Sequence, residues 1–198
     1  MNFLTPGVAS TGASLHAMAP AQAATQLLSL VVLGAIARWY VVPWLKRQPR
    51  ADALIALLWV QVFRYVALQV FSAQHDGFPI SQTGAMEIVV GDVLGAVIAF
   101  AAIVLLRHRM RLAIPLAWLL AAETAYDTFA NIRGGVREHL MGAASGVTWL
   151  VLGFFVPAVV VSCILLVWQL YARRREALGP AARRGAPAIG TLAPEHPR

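Results

Sequence analysis

The chain has 198 residues, of which 59% are hydrophobic and 13% charged, about half the charged share of an average soluble domain. That length bounds it to one compact unit. The formal charge of +7 lies in short clusters between apolar runs, with no basic stripe and interleaved aromatics of the kind that would recruit nucleic acid. A single cysteine, Cys163, leaves neither a disulfide framework nor a thiolate metal site.

Residues 1–24 contain no Lys, Arg, Asp or Glu. Residues 19–23 (Ala-Pro-Ala-Gln-Ala) have the form of a signal-peptidase site, but no positive n-region or solid apolar h-region precedes them. The stretch reads as a retained, weakly structured extracytoplasmic leader, with cleavage as the alternative. Five apolar segments follow, near 26–45, 53–73, 86–106, 112–132 and 147–171, each long enough for a hydrocarbon core of ~30 Å. They predict an all-α, polytopic membrane bundle over 25–172. The tail, 173–198, mixes Pro, Ala, Gly and Arg without periodicity and is expected to be disordered.

Charge placement sets the expected orientation. Lys46, Arg47 and Arg50 follow the first segment, and Arg107, Arg109 and Arg111 follow the third. The tail adds Arg173, Arg174, Arg175, Arg183, Arg184 and Arg198, while the opposite side has only Arg133 and Arg137. The positive-inside rule then places the N-terminus outside and the C-terminus in the cytoplasm. A bacterial inner membrane is the expected location, and the basic tail is expected to meet anionic lipid.

In the first segment Arg38 either snorkels toward headgroups or joins an interior cluster from below, and Trp39, Tyr40 and Trp44 form an interface belt. The second carries Arg64 near its centre. Gln61, Tyr65, Gln69 and Ser72 lie within about 140° of it on a helical wheel, with Val62, Phe63, Val66 and Val70 opposite. The third carries Asp92 beside Gly91, Gly95 and Ala99, a small-residue ridge whose usual use is close packing. Ala113, Ala117, Ala121 and Ala125 offer a similar ridge in the fourth.

The fourth segment is the one around which the rest is organised. Tyr126, Asp127 and Asn131 fall within about 80° of Glu123, while Ala122, Ala125, Phe129 and Ile132 form the bare face. Arg64 and Glu123 share a depth near the midplane, which predicts an ion pair. Asp92 and Asp127 share a depth in the outer half. Three interior acids against one or two arginines cannot all ionise cheaply, so at least one is expected to keep a proton or meet a cation. Glu123 and Asp127, four apart on one face, are the candidates to share that proton. A purely structural hydrogen-bonded network is the competing expectation. In the fifth segment, Pro157 deprives the Gly153 carbonyl of its helical donor and predicts a kink beside the cluster.

Several chemistries are disfavoured. Residues 143–146 (Ala-Ala-Ser-Gly) lack the first glycine of a rhomboid-type motif and have no following intramembrane histidine to serve Ser145. The only lysine, Lys46, is at a segment end, so no Schiff-base cofactor is expected, and no histidine lies within a segment to hold haem or di-iron. His75, Asp76, Glu87, Glu138 and His139 share the outer side without metal-ligand spacing and are expected to be solvated.

Gly91-Asp92 in the third segment, the acidic fourth and Phe155-Val-Pro157 in the fifth resemble a group of uncharacterised bacterial multi-pass membrane proteins over about residues 54–171. That resemblance implies no activity. Membrane isomerases of the sterol-isomerase and sigma-2 receptor type also keep acids in a few-helix pocket, but differ in helix number and orientation. The expected site comprises Gln61, Arg64, Tyr65, Gln69, Asp92, Glu123, Tyr126, Asp127 and Asn131. It would bind or move a small amphipathic or cationic ligand, with protonation linked to binding. One alternative is an enzyme acting on a lipid-soluble substrate with Glu123 and Asp127 as acid and base. Another is a non-catalytic subunit that meets a membrane-protein partner or a second copy.

Overall fold

A computed structural model describes the backbone of residues 9–178 and the side chains of residues 18–178. The described residues form five helices and no strand. Helix α1 runs over Ala9–Ile36, passes through a π-helical turn at Ala37–Val41 and ends with Val42–Arg47. Helix α2 is Arg50–His75, α3 Gln82–Arg107, α4 Ala113–Arg137 and α5 Gly146–Ala172. Four of them, α1 (over Met18–Arg47), α2, α3 and α5, are long and apolar enough to cross a membrane. Helix α4 is of matching length, and Glu123, Asp127, Arg133 and Arg137 lower its hydropathy. The leader expected to be weakly structured is helical from Ala9, in an alanine-rich stretch that favours helix despite Pro20. Residues 1–8 and most of the basic tail lie outside the described residues.

Departures from the regular helix have identifiable causes. Each π turn ends two residues before a proline, Pro43 in α1 and Pro157 in α5. Proline has no N–H for the carbonyl four residues back, and a widened turn is one way to accommodate that loss. In α2 the six residues Phe63–Leu68 tighten into 3-10 helix around Arg64. Helices α3 and α4 end with Arg109 (φ 55°) and His139 (φ 56°) in the left-handed region. There the Met110 N–H reaches Leu105 O and the Leu140 N–H reaches Gly135 O, closing each helix in the manner usually reserved for glycine.

Helices α2, α3 and α4 pack in succession, α5 closes against α2 and α4, and α1 lies along α5. At the arginine-rich end the core is dry: Leu45, Leu54, Leu58, Leu120 and Leu166 are fully buried together with Ala99 and Ala102. In lipid such packing holds helices by close van der Waals contact rather than by removing apolar surface from water. The small residues of both ridges serve this, except that Ala125 is exposed. Arg173 ties the turn between α1 and α2 to the end of α5, donating from Nη1 to Leu45 O (3.4 Å) and from Nη2 to Gln48 O (3.1 Å). Its ion pair with Glu176 holds that carboxyl below its ordinary range.

The opposite end is stitched by polar groups. Ser81 caps α3 by accepting from the Gly84 N–H, and its own N–H and hydroxyl donate to the two Glu138 oxygens at 2.8 Å each. Those two donations, the backbone one foremost, hold the Glu138 carboxyl below its ordinary range. From α1, Gln22 accepts from the Gly142 N–H (2.9 Å), and Gln26 donates to Leu152 O within the π turn of α5 (3.3 Å).

Candidate functional site

One guanidinium organises the interior. Arg64 is 1% exposed, and all five of its N–H groups are engaged. Nε donates to Asp92 Oδ1 at 2.7 Å. Nη1 donates to Glu123 Oε2 (2.7 Å) and Thr124 Oγ1 (2.9 Å), and Nη2 to Asp127 Oδ2 (2.7 Å) and Glu123 Oε1 (3.3 Å). The expected Arg64–Glu123 contact is present, and Asp92 and Asp127 share the same cation. A planar fork with five fixed donors can serve three carboxylates at once; an ammonium with three could not do so and still meet Thr124.

Glycine makes this geometry possible. A Cβ on Gly95 would collide with Arg64 Nη1 and Cζ, and one on Gly91 would collide with Asp127 Oδ1. The ridge of α3 therefore does more than bring two backbones together. It clears the volume that the cluster occupies between α2, α3 and α4.

The polar network continues outward. Asn131 Nδ2 donates to Asp127 Oδ2 at 3.1 Å. The Thr124 hydroxyl reaches Gln61 Oε1 at 3.4 Å, and Gln61 Nε2 donates to Ser162 Oγ (2.6 Å) and Val159 O (3.0 Å) on α5. Gln69 lies apart, accepting from the Thr148 hydroxyl at 3.2 Å. Tyr65 and Tyr126 do not join: they are 47% and 76% exposed on the outer surface. Arg38 is likewise exposed and makes no ion pair among the described residues. Thr124 and Ser162 are the members that residue-type reasoning passed over. Thr124 lies only 100° from Glu123 on the helical wheel, on the Asp127 side, which is the signal that would have found it.

The cluster forms one wall of a cavity of about 1040 Å³ at the end of the bundle holding the α2–α3 and α4–α5 links. Arg64, Asp92, Glu123, Asp127 and Asn131 line it on one side, and Leu152, Phe155 and Val156, at and just after the π turn of α5, on another. Val90, Leu94, Tyr126 and Ile132 also line it while being more than half exposed, so it opens through the side of the bundle. Two carboxylate oxygens, Asp92 Oδ2 and Asp127 Oδ1, accept no hydrogen bond among the described residues, whereas both Glu123 oxygens are held by Arg64. Toward the arginine-rich end the route is blocked by Leu57, Leu58, Ile103, Leu120 and Leu166, each at most 4% exposed. Gln169 is buried at that end with its side-chain amide unpartnered, a costly placement for a polar group. Among the described residues no group of three or more His, Cys, Asp or Glu is placed to hold a metal ion.

Fold and site define the class: an all-α bundle with four membrane-length apolar helices, a fifth bearing acids, and a buried charge cluster facing a side-opening cavity. The chain belongs to the DUF8737 family, a domain of unknown function, whose match covers residues 21–171 and so takes in the cluster and every residue lining the cavity. No curated protein and no solved structure matches the chain.

Proposed function

We propose that this is a multi-pass protein of a bacterial inner membrane in which all five helices cross, the N-terminus outside and the C-terminus in the cytoplasm. In its outer half it binds a small amphipathic ligand that carries a cationic group. The observation behind this reading is the imbalance at the cavity wall: three carboxylates share one guanidinium, and two oxygens of the cavity-lining Asp92 and Asp127 accept no hydrogen bond among the described residues. A buried charge excess of that kind calls for a proton or a ligand cation, and binding of one displaces the other. The side opening suits a ligand that arrives from the lipid with its apolar body against Leu152, Phe155 and Val156. The leucine plug supports binding rather than passage across the membrane.

An enzymatic reading is favoured by one detail. The oxygens that accept no hydrogen bond among the described residues belong to Asp92 and Asp127, so this pair, rather than Glu123 with Asp127, would exchange protons with a lipid-soluble substrate. The charged members of the polar arcs, Arg64, Asp92, Glu123 and Asp127, meet one another inside the bundle, which weighs against a role as a mere partner surface.

Binding of a fluorescent long-chain primary amine to the protein in lipid nanodiscs tests the proposal, with the alcohol of equal chain length as the neutral comparison. The amine should bind in preference to the alcohol, and Asp92→Asn with Asp127→Asn should remove the preference. Equal binding of amine and alcohol by the unaltered protein would refute the proposal.

A further inference from the structure

The arginine-rich end holds a second cavity, of about 640 Å³, between the start of α2, the end of α3 and Leu178, which follows α5. Its rim is formed by Arg107 and Arg109 on one side and by Pro49, Ala51 and Asp52 on the other. Its deeper wall is apolar, with Ile55, Trp59 and Leu106. None of Arg107, Arg109 and Asp52 makes an ion pair or a side-chain hydrogen bond among the described residues. Arg109 is held at the rim by backbone structure: its left-handed conformation closes α3 through the Arg109 N–H to Leu106 O bond (3.0 Å). Pro49 gives α2 no side-chain cap, so the first N–H groups of that 26-residue helix lack a side-chain acceptor in the turn that contributes Ala51 and Asp52 to the cavity lining. Below it, Trp59 meets Phe100 edge-on at 6.3 Å, and both are exposed on the surface between α2 and α3.

This arrangement layers three chemistries in the order of a phospholipid. Two guanidiniums and an uncapped helix start suit a phosphodiester. A carboxylate beside them repels a bare phosphate but suits an attached ammonium. An exposed aromatic pair within the apolar span suits the first methylenes of an acyl chain, and Trp39, Tyr40 and Trp44, exposed at the same end, mark the level of a membrane interface. We propose that this cavity is a headgroup site for a phospholipid bearing a primary amine, with the phosphodiester on Arg107 and Arg109 and the ammonium on Asp52. It is separate from the acidic cavity and does not depend on what that cavity binds.

Native mass spectrometry of the full chain, released from micelles doped with phosphatidylethanolamine, phosphatidylcholine or phosphatidylglycerol of identical acyl chains, tests this. The ethanolamine lipid should be retained best. Arg107→Gln and Arg109→Asn, the latter tolerant of the left-handed backbone, should each lower retention of all three lipids about fivefold, the equivalent of about 1 kcal/mol per interfacial charge. Asp52→Asn keeps a residue suited to a helix start, so folding should survive, checked by thermal unfolding. It should abolish the preference for the ethanolamine lipid while leaving the glycerol lipid bound. Equal retention of the three lipids by the unaltered protein would overturn the proposal, as would an unchanged preference in Asp52→Asn. Displacement of the lipid by equimolar inorganic phosphate or soluble glycerophosphoethanolamine would also overturn it, because the site would then recognise a free anion or headgroup rather than a lipid.

Discussion

Replacing Arg64 with leucine should be the most damaging single substitution in the interior, and its size can be worked out from the cluster. The change removes five hydrogen-bond donations and the one cation shared by Asp92, Glu123 and Asp127. One guanidinium balances one carboxylate, so the variant must take up about one additional proton to restore the same net charge. Protonating an ordinary carboxyl at pH 7 costs about 4 kcal/mol, within the range of about 3–5 kcal/mol for breaking a buried ion pair. The folded variant then binds one proton more than the folded wild type, so its deficit should shrink by about 1.4 kcal/mol for each pH unit lowered. Glu123→Gln added to Arg64→Leu removes the need for that proton and should recover most of the loss. Equilibrium unfolding in lipid–detergent micelles at pH 7 and pH 5 measures both effects. A single variant within about 1 kcal/mol of wild type, or a double variant no better than the single, would refute the charge bookkeeping.

Three further outcomes follow from particular contacts. Gly95→Ala should cost about 1–3 kcal/mol, because its Cβ meets the Arg64 guanidinium, whereas Gly134→Ala, with open space around it, should be neutral or stabilising; melting temperatures compare the two. The Glu138 carboxyl is held below its ordinary value, so its contribution to stability should be present at neutral pH and lost as pH falls through that depressed value. The thermal gap between wild type and Glu138→Gln should accordingly close in acid, and a gap that widens in acid would contradict the Ser81–Glu138 clamp. For topology, a reporter active only in the cytoplasm should work when fused after Tyr171 and fail within 74–85; the reverse pattern would contradict the five-crossing, N-outside reading.

Much of the site was legible because helical stepping needs no structure. Glu123, Asp127 and Asn131 share a face, and depth counting paired Arg64 with Glu123. Stepping gives azimuth only within one helix, however, and the inward direction is set by the neighbours. The buried arc of α4 runs from Glu123 through Asp127 to Thr124, which admits Thr124 and leaves Tyr126 exposed. An arc of 140° was too wide for α2, where Tyr65 falls outside and Gln69 turns to Thr148. The tightened Phe63–Leu68 stretch also shifts the phase of residues that follow Arg64. That one arginine holds three acids was not readable, because it depends on Gly91 and Gly95 clearing space, and a glycine ridge reads the same whether it admits a backbone or a side chain. Pro157 did mark a departure from the regular α5 helix, although a proline alone does not specify that the departure is a π turn.

Under the proposed function, the surplus acid at the large cavity carries an exchangeable charge partner and is not locked by structural pairing alone. The infrared carboxyl spectrum of the protein in lipid, recorded across about pH 5–9 for wild type and Asp127→Asn, tests it most directly. The wild type should show a buried, protonated carboxyl band that responds to pH and to added long-chain amine, and that band should be lost in a folded Asp127→Asn protein. A spectrum with no responsive carboxyl in that window, identical in the two proteins, would contradict it and leave the cluster as a structural tie between α2, α3 and α4.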